Sequence, residues 1–346
     1  MIKVLIIGSG GVGVMSALAL TNNNKCEVTL VVRSDYNLIL SQGYSINSCT
    51  FGEFSNWKPH NLASSVEDAN QYGPFDYIVL STKNVPDGPI TCENIIKPAI
   101  HGSETIILLQ NGIHIEDAMF KAYPDNLILS GVSITGSTYY DGHVENVGKD
   151  QIYLGDFKTT NRNSDSDAKI HQYMELYQDP NGHNFIEVDE NVQKTRWEKL
   201  IYNSVFNCIT ALVNLDVNRL QINNLNEELI KPAMYEVIKI AKTEGIECDE
   251  SKIETYIHIG DGLFYSPSMC VDMRKGQLME LEIILGNPIK IARKNNVSVP
   301  ILSTIYSLLK CVQFRLKEEK GLLKINQDDF KGNSNDYAKI FNEKYV

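Results

Sequence analysis

Long apolar runs are missing from this sequence. No hydrophobic stretch reaches the roughly 20 residues that a membrane-spanning helix needs. The first begins at Ile2, leaving no basic segment ahead of it of the kind a secretory signal carries. Paired cysteines are missing too: Cys26, Cys49, Cys92, Cys208, Cys248, Cys270 and Cys311 are odd in number, and none stands in a C-x-x-C pair or at zinc-ligand spacing with histidine. They read as reduced thiols in a cytoplasmic protein with no metal centre. Positive charge is scarce, with 32 Lys and Arg against 43 Asp and Glu and a formal net charge of −11. An acidic chain without a Lys/Arg tract excludes a dedicated nucleic-acid binder, which must neutralise phosphates. A small anionic ligand stays open, because a few local cations outweigh a distant field screened within about 10 Å. The remaining composition is ordinary: 346 residues, 43% hydrophobic and 22% charged. That excludes a disordered chain, a collagen and a small disulfide scaffold, and roughly 150 residues per domain suggests two domains.

The first third alternates short β-branched runs with helix-length segments. Ile2–Ile7, Glu27–Val32, Tyr77–Ser81 and Thr105–Leu109 read as strands, and Val14–Thr21 as a helix. That alternation predicts an α/β unit with a doubly wound parallel sheet. Gly131–Thr138 and Gln151–Gly155 flank the turn-rich Asp141-Gly142-His143 and predict an antiparallel edge. Residues 157–168 are polar and without period, so a surface loop is expected there. Beyond Glu190 helical patterns take over: 191–213, 225–244, 252–258, 279–295 and 301–316. The expected division is residues 1–188 for the sheet domain and 189–346 for an all-helical domain, with 316–346 a polar peripheral extension. The apolar helices of the second domain are also compatible with a homodimer.

Gly8-Ser9-Gly10-Gly11-Val12-Gly13 lies directly after the first strand and before the first helix. In a G-x-G-x-x-G turn the first glycine permits a tight bend and the second admits a pyrophosphate close to backbone N–H groups. The third lets helix and strand pack closely, and the helix N-terminus adds its positive dipole. Strand, glycines and helix in this order predict a Rossmann-type dinucleotide site. After the second strand, Arg33 stands where an arginine accommodates the 2′-phosphate of NADP, while Asp35 is of the type that holds the ribose of NAD. Arg33 comes first, so NADPH is the expected cofactor. Two further loops follow strands, Ser81-Thr82-Lys83 and Gln110-Asn111-Gly112. Lys83 is suited to a ribose hydroxyl or a substrate carboxylate and Asn111 to the nicotinamide or the reacting carbonyl; alone each is more often a turn residue, and their shared place at strand ends makes the two readings even.

In the first helix of the second half, Lys199, Asn203 and Asn207 recur at i, i+4 and i+8 on one face. Their neighbours Leu200, Ile201, Val205, Phe206 and Ile209 are apolar. A polar stripe in such company needs partners, either within the protein or in a bound polar substrate. Farther on, Ser266-Pro267-Ser268-Met269 precedes Asp272, and Gly276 precedes Glu280 and Glu282. On its own this reads as a loop feeding a helix whose first turn carries acids.

Together these motifs make the sequence resemble the ketopantoate reductase (2-dehydropantoate 2-reductase) family over residues 2–312. The resemblance runs through Gly8–Gly13, Arg33, Thr82-Lys83, Gln110-Asn111-Gly112 and Gly142-His143-Val144-Glu145-Asn146-Val147-Gly148. It continues in Trp197-x-Lys199-x3-Asn203-x3-Asn207, Pro267-Ser268-Met269 and Glu280-Leu281-Glu282. It implies NADPH-dependent reduction of 2-dehydropantoate to (R)-pantoate, with Lys199 as general acid. By the same resemblance Asn203, Asn207 and Ser268 hold the substrate, Glu280 contacts it and orders the site, and Lys83 and Asn111 line the cofactor and the cleft. Two positions depart from the family pattern: Leu285 precedes Gly286 where an Asn is common, and Glu282 replaces an Asp.

The chemistry agrees. Hydride delivery to a 2-oxo carbon leaves an alkoxide that needs a proton, and a lysine ammonium supplies one while stabilising the charge. Two other readings share the fold: a reductase of another 2-oxo acid or imine, and an NADPH sensor without turnover. A sensor needs only the glycine loop and Arg33, so the set Lys199, Asn203, Asn207, Ser268 and Glu280 argues for an enzyme.

Overall fold

The computed structural model describes residues 1–158 and 164–345. Twelve strands are found among them. In chain order they are β1 (Ile2–Ile7), β2 (Cys26–Val31), β3 (Tyr44–Ser48), β4 (Gly52–Trp57), β5 (Asn61–Ala63), β6 (Tyr77–Leu80), β7 (Thr105–Leu108), β8 (Ile128–Ser133), β9 (Ser137–Tyr140), β10 (His143–Asn146), β11 (Gln151–Asp156) and β12 (Phe185–Val188). Eight form the main sheet in the order β12-β11-β8-β7-β6-β1-β2-β5. Its pairs are parallel except β8 with β11, where Val132 faces Tyr153. The central strands bury both faces, as β-branched runs covered by helices do.

Alternation along each strand divides the core in two. Val4, Ile6, Tyr77, Val79 and Ile107 point to one face and pack with Val14, Met15 and Leu18 of the Gly11–Asn22 helix. Leu5, Ile7, Ile78, Leu80, Ile106 and Leu108 point to the other. There they join one continuous apolar cluster with Trp197, Leu200, Ile201, Met234, Val237, Ile284 and Leu302 of the helical half. The helices of that half therefore rest directly on the sheet face.

The second half is helical, as the sequence predicts. Its helices include Val192–Tyr202, Cys208–Val213, Lys231–Thr243, Lys252–His258, Ser268–Arg274, Asn287–Lys294 and Pro300–Glu319. Several are joined through wider π turns, at Asn203–Asn207, Asn226–Ile230 and Glu282–Gly286. The peripheral extension folds back on the Pro300–Glu319 helix, with the Phe314 and Phe341 rings 5.6 Å apart and Phe330 stacked on Tyr345.

Four expectations need correction. The strand expected over 131–138 is two strands, because the chain leaves the main sheet after Ser133. The Asp141-Gly142 turn, with φ of 49° and 82°, then closes a β9–β10 hairpin, since a two-residue hairpin requires left-handed residues there. That hairpin belongs to a second sheet, β4-β3-β10-β9, which alternation alone did not reveal. Of the loop expected over 157–168, residues 159–163 lie outside the described residues. Those from 164 onward open a helix, Ser164–Tyr177, whose acidic first turn suits the helix dipole. Finally, Glu280 lies just ahead of its helix, with its carbonyl accepting from the Ile284 N–H, and of the two acids only Glu282 is in the first turn.

Candidate active site

The glycine loop, the Arg33 segment and the Ser81–Lys83 and Gln110–Gly112 loops leave the C-terminal ends of four adjacent parallel strands, β1, β2, β6 and β7, which is where open α/β sheets bind ligands. At the end of β1, Gly8 has φ +118° and lies so close to β6 that a Cβ would stand 2.6 Å from the Thr82 nitrogen. At Gly13 a Cβ would overlap the Gly8 carbonyl oxygen, so helix and strand touch there. Gly10 differs, because a Cβ at this position meets nothing within 4 Å. The protein itself makes no demand for glycine at position 10, and the open space lies at the mouth of the Gly11–Asn22 helix. Gly10 precedes that helix with no side chain capping its free N–H groups. On the far side the loop is roofed by β9, where a Cβ on Gly11 would be 2.7 Å from the Ser137 carbonyl oxygen. Arg33 follows β2 and is exposed, with no ion pair among the described residues. Asp35 is engaged instead: it accepts a hydrogen bond of 2.5 Å from the Tyr139 hydroxyl on β9.

Two positive side chains of the Val192–Tyr202 helix point at the strand ends. Arg196 is buried at 4% exposure and sews the helix to the sheet. It donates to Ser130 Oγ (2.7 Å) and to the carbonyls of Gln110 (2.9 Å), Gly112 (3.0 Å) and Leu108 (3.1 Å). Burial lowers its pKa to about 10, which still leaves it charged at neutral pH. One turn on, Lys199 donates to Asn111 Oδ1 at 2.9 Å and to the Ser133 carbonyl at 2.5 Å. An ammonium has three N–H donors, so one is left for a ligand. Burial first, then the Arg196 and Lys83 charges, bring the Lys199 pKa down to about 8 against the opposing pull of Glu280.

Glu280 ties the loops together. It is 4% exposed, accepts from the Asn84 N–H at 2.9 Å, and lies 3.5 Å from both Lys83 Nζ and Asn111 Nδ2. Lys83 also pairs with Asp272 at 2.7 Å. Burial opposes its charge, but Glu280 and Asp272 more than compensate and raise its pKa. Its side chain as a whole is 44% exposed. Asp272 lies on the Ser268–Arg274 helix, whose first residue, Ser268, receives a 3.4 Å hydrogen bond from Asn207 Nδ2. The other amide atom of Asn207, Oδ1, is buried without a partner among the described residues. At the end of the same helix Lys275 reaches across to the small sheet. It donates to the Tyr139 carbonyl at 2.9 Å and sits 5.6 Å from the centre of the Tyr140 ring.

The family described as Ketopantoate reductase PanE/ApbA matches residues 4–159, and the one described as Ketopantoate reductase PanE/ApbA C terminal matches residues 191–313. The chain belongs to this family. Membership places it among oxidoreductases acting on CH–OH groups. An uncharacterized Saccharomyces cerevisiae protein, YDL144C, is 43% identical over 351 residues, covering 94% of this chain and 98% of its own. The crystal structure of 2-dehydropantoate 2-reductase from Methylococcus capsulatus superposes with a TM-score of 0.76 at 27% identity, covering 91% of this chain and 98% of that one. D-mandelate dehydrogenase, in a ternary structure with NADH and anilino(oxo)acetate, shares the fold at a TM-score of 0.77 and 22% identity, over 91% and 100% of the two chains.

For this member of the ketopantoate reductase family, the structure joins Lys199, Asn111, Lys83 and Glu280 into one connected cluster. Asn207 and Ser268 form a second pair. Asn203 is buried at 7% exposure in the π turn between Lys199 and Asn207, and its side chain makes no hydrogen bond among the described residues. Gly8, Ser9, Gly10, Gly11 and Val12 are partly open, Gly13 is buried, and Arg33 stands apart beyond β2. Sequence reasoning did not assign roles to Arg196, Asp272, Tyr139 or Lys275. The only signal for Arg196 was its place one turn before Lys199, since a buried arginine looks like any charged residue in a sequence.

Proposed function

We propose that the chain is an NADPH-dependent reductase of a small 2-oxo acid, with 2-dehydropantoate the leading substrate and (R)-pantoate its product. The observation that carries this reading is the Lys199 ammonium, fixed by two carbonyl-type acceptors with its third N–H free, at the ends of β7 and β8 in the sheet whose β1 leads into the glycine loop. A dinucleotide fits the residues present. Gly10 leaves room where its Cβ would stand, no side chain caps the first N–H groups of the following helix, and Arg33 offers an exposed guanidinium, without an ion pair among the described residues, for a 2′-phosphate. Gly8, Ser9, Gly10, Gly11, Val12, Gly13 and Arg33 would hold it, with Lys83 and Asn111 toward its reactive end. When bound, the reduced nicotinamide supplies the hydride.

The chain's own residues then have separable tasks. Lys199 gives its proton to the oxygen that becomes the product hydroxyl, and a pKa near 8 suits it to that transfer at neutral pH. Asn111 and the Ser133 carbonyl hold the ammonium in place. Glu280 positions Asn111 and Lys83. The Lys83 ammonium matches a substrate carboxylate, and Asn207, with Asn203 and Ser268, offers amide and hydroxyl groups to the substrate's polar end.

One observation favours a second substrate within the same chemistry. Leu263, Phe264 and Tyr265, immediately before Ser266-Pro267-Ser268, are 65%, 60% and 42% exposed. Three consecutive exposed large apolar side chains leading into the Ser266–Ser268 loop suit an acid with a bulkier apolar group than that of 2-dehydropantoate. The deciding experiment follows NADPH consumption by the purified protein with 2-dehydropantoate, beside NADH and a panel of other 2-oxo acids. Turnover with 2-dehydropantoate and NADPH supports the first reading. Turnover only with bulkier acids selects the second, and tight NADPH binding with no turnover on any acid removes the reductase.

A further inference from the structure

Close beyond Arg33 the structure places an acid that an NADPH site does not want. Asp35 stands two residues beyond Arg33, at the start of the Tyr36–Gln42 helix, and is only partly buried. A carboxylate at this end of the second strand takes the ribose hydroxyl of NADH and repels the extra phosphate of NADPH. Here it is not free. The Tyr139 hydroxyl donates to Asp35 Oδ2 at 2.5 Å, a short bond of the kind made to a charged acceptor. The phenol is itself held in place: the Gly142 N–H donates to its oxygen at 3.1 Å, and its ring meets the buried Tyr44 edge-on at 6.2 Å. Its backbone is held as well, by Lys275 at its carbonyl and by the Gly11–Ser137 approach two residues earlier.

We propose that Tyr139 is a cofactor-specificity residue, acting through Asp35. By engaging one carboxylate oxygen it fixes the rotamer and spreads the charge of an acid that would otherwise favour NADH. The phosphate end is thereby left to Arg33. Specificity of this kind comes as much from restraining a wrong group as from supplying a right one. Tyr139 acts as a positioning residue, reached from a different sheet and more than 100 residues along the chain. The inference rests on the NADPH reading above.

The test measures Kd for NADPH and for NADH by quenching of protein fluorescence, which needs no substrate, in the wild type, Tyr139→Phe, Asp35→Asn and the double variant. Tyr139→Phe keeps the ring and its packing and removes only the donor. Loss of a hydrogen bond to a charged group is expected to lower the NADPH-over-NADH affinity ratio about tenfold relative to wild type. Asp35→Asn is expected to abolish the effect, so that the double variant matches Asp35→Asn alone. An unchanged ratio in Tyr139→Phe, or an equal fall in the Asp35→Asn background, overturns the proposal. The wild-type ratio judges the NADPH reading separately. Equal wild-type affinity for both cofactors sinks that reading, and the change between wild type and Tyr139→Phe still decides the role of Tyr139.

Discussion

If Lys199 is the proton donor, the pH profile of the reduction is set by its surroundings. Burial and the Arg196 charge lower its pKa to about 8. The acid form is therefore about nine-tenths populated at pH 7 and about one-tenth at pH 9. For a group that must be protonated to act, kcat/KM for reduction should be flat below about pH 7. It should then fall through a midpoint near 8 and lose about tenfold per pH unit above it. An ordinary lysine would put that midpoint above 10. Lys199→Ala should lower kcat by about 10²–10⁴-fold and abolish the break near pH 8, leaving NADPH affinity little changed. The assay is the initial rate of NADPH loss at subsaturating acid across pH 6 to 10, for both proteins. Two results would refute the reasoning: a wild-type profile flat to pH 9.5, or the same break near 8 in Lys199→Ala.

The glycine loop separates ligand binding from folding. Gly10→Ala adds a methyl that meets no protein atom, so the Tm should hold while NADPH Kd rises at least about tenfold, as titration would show. Gly13→Ala drives a methyl into the Gly8 carbonyl and should cost about 1–3 kcal/mol in urea unfolding whether or not cofactor is added. Equal thermal losses in both variants would mean that Gly10 is structural. Arg196→Met leaves the carbonyls of Leu108, Gln110 and Gly112 and the Ser130 hydroxyl without their donor. At about 1–3 kcal/mol for a buried group so orphaned, the loss of stability should exceed that of Gly13→Ala in the same unfolding assay. The Lys199 pKa in that variant should rise, moving the break in the rate profile upward, because a neighbouring positive charge has gone.

The sequence already carried the parts of this molecule that depend on local pattern. Apolar runs with the glycine turn between them define β1 and β2 within a residue, and the first helix except for its opening turn, which begins inside the glycine loop at Gly11. The Lys199, Asn203, Asn207 stripe stood out because polar residues recur inside an apolar helix. What depended on partners far along the chain stayed hidden. Strands β3 and β4 are half exposed, with polar residues on the open face, and their sheet is completed only by β9 and β10 about 90 residues later. The π turn at Asn203–Asn207 leaves no trace in residue spacing. Asp272 looked like any acid on a short helix until the fold set it against Lys83, 189 residues earlier in sequence by their numbering. Asp35 looked like a rival to Arg33 because nothing near it in sequence shows that Tyr139 holds it.

The apolar cluster that runs unbroken from Leu5 and Leu80 in the sheet to Met234 and Leu302 in the helices bears on how such enzymes can diversify. A helical half that rested on a polar seam could be exchanged between relatives as a cassette, bringing a new substrate pocket with it. Here the lower surface of the helices is packed on the side chains of β1, β6 and β7, and Arg196 is fitted to carbonyls at the end of β7 and in the loop beyond it. New specificity is therefore easier to gain from exposed loops and single residues, the Leu263–Tyr265 segment among them, than by transplanting the helices whole. A chimaera that takes residues 189–346 from a distant relative should need the matching sheet face to come with them.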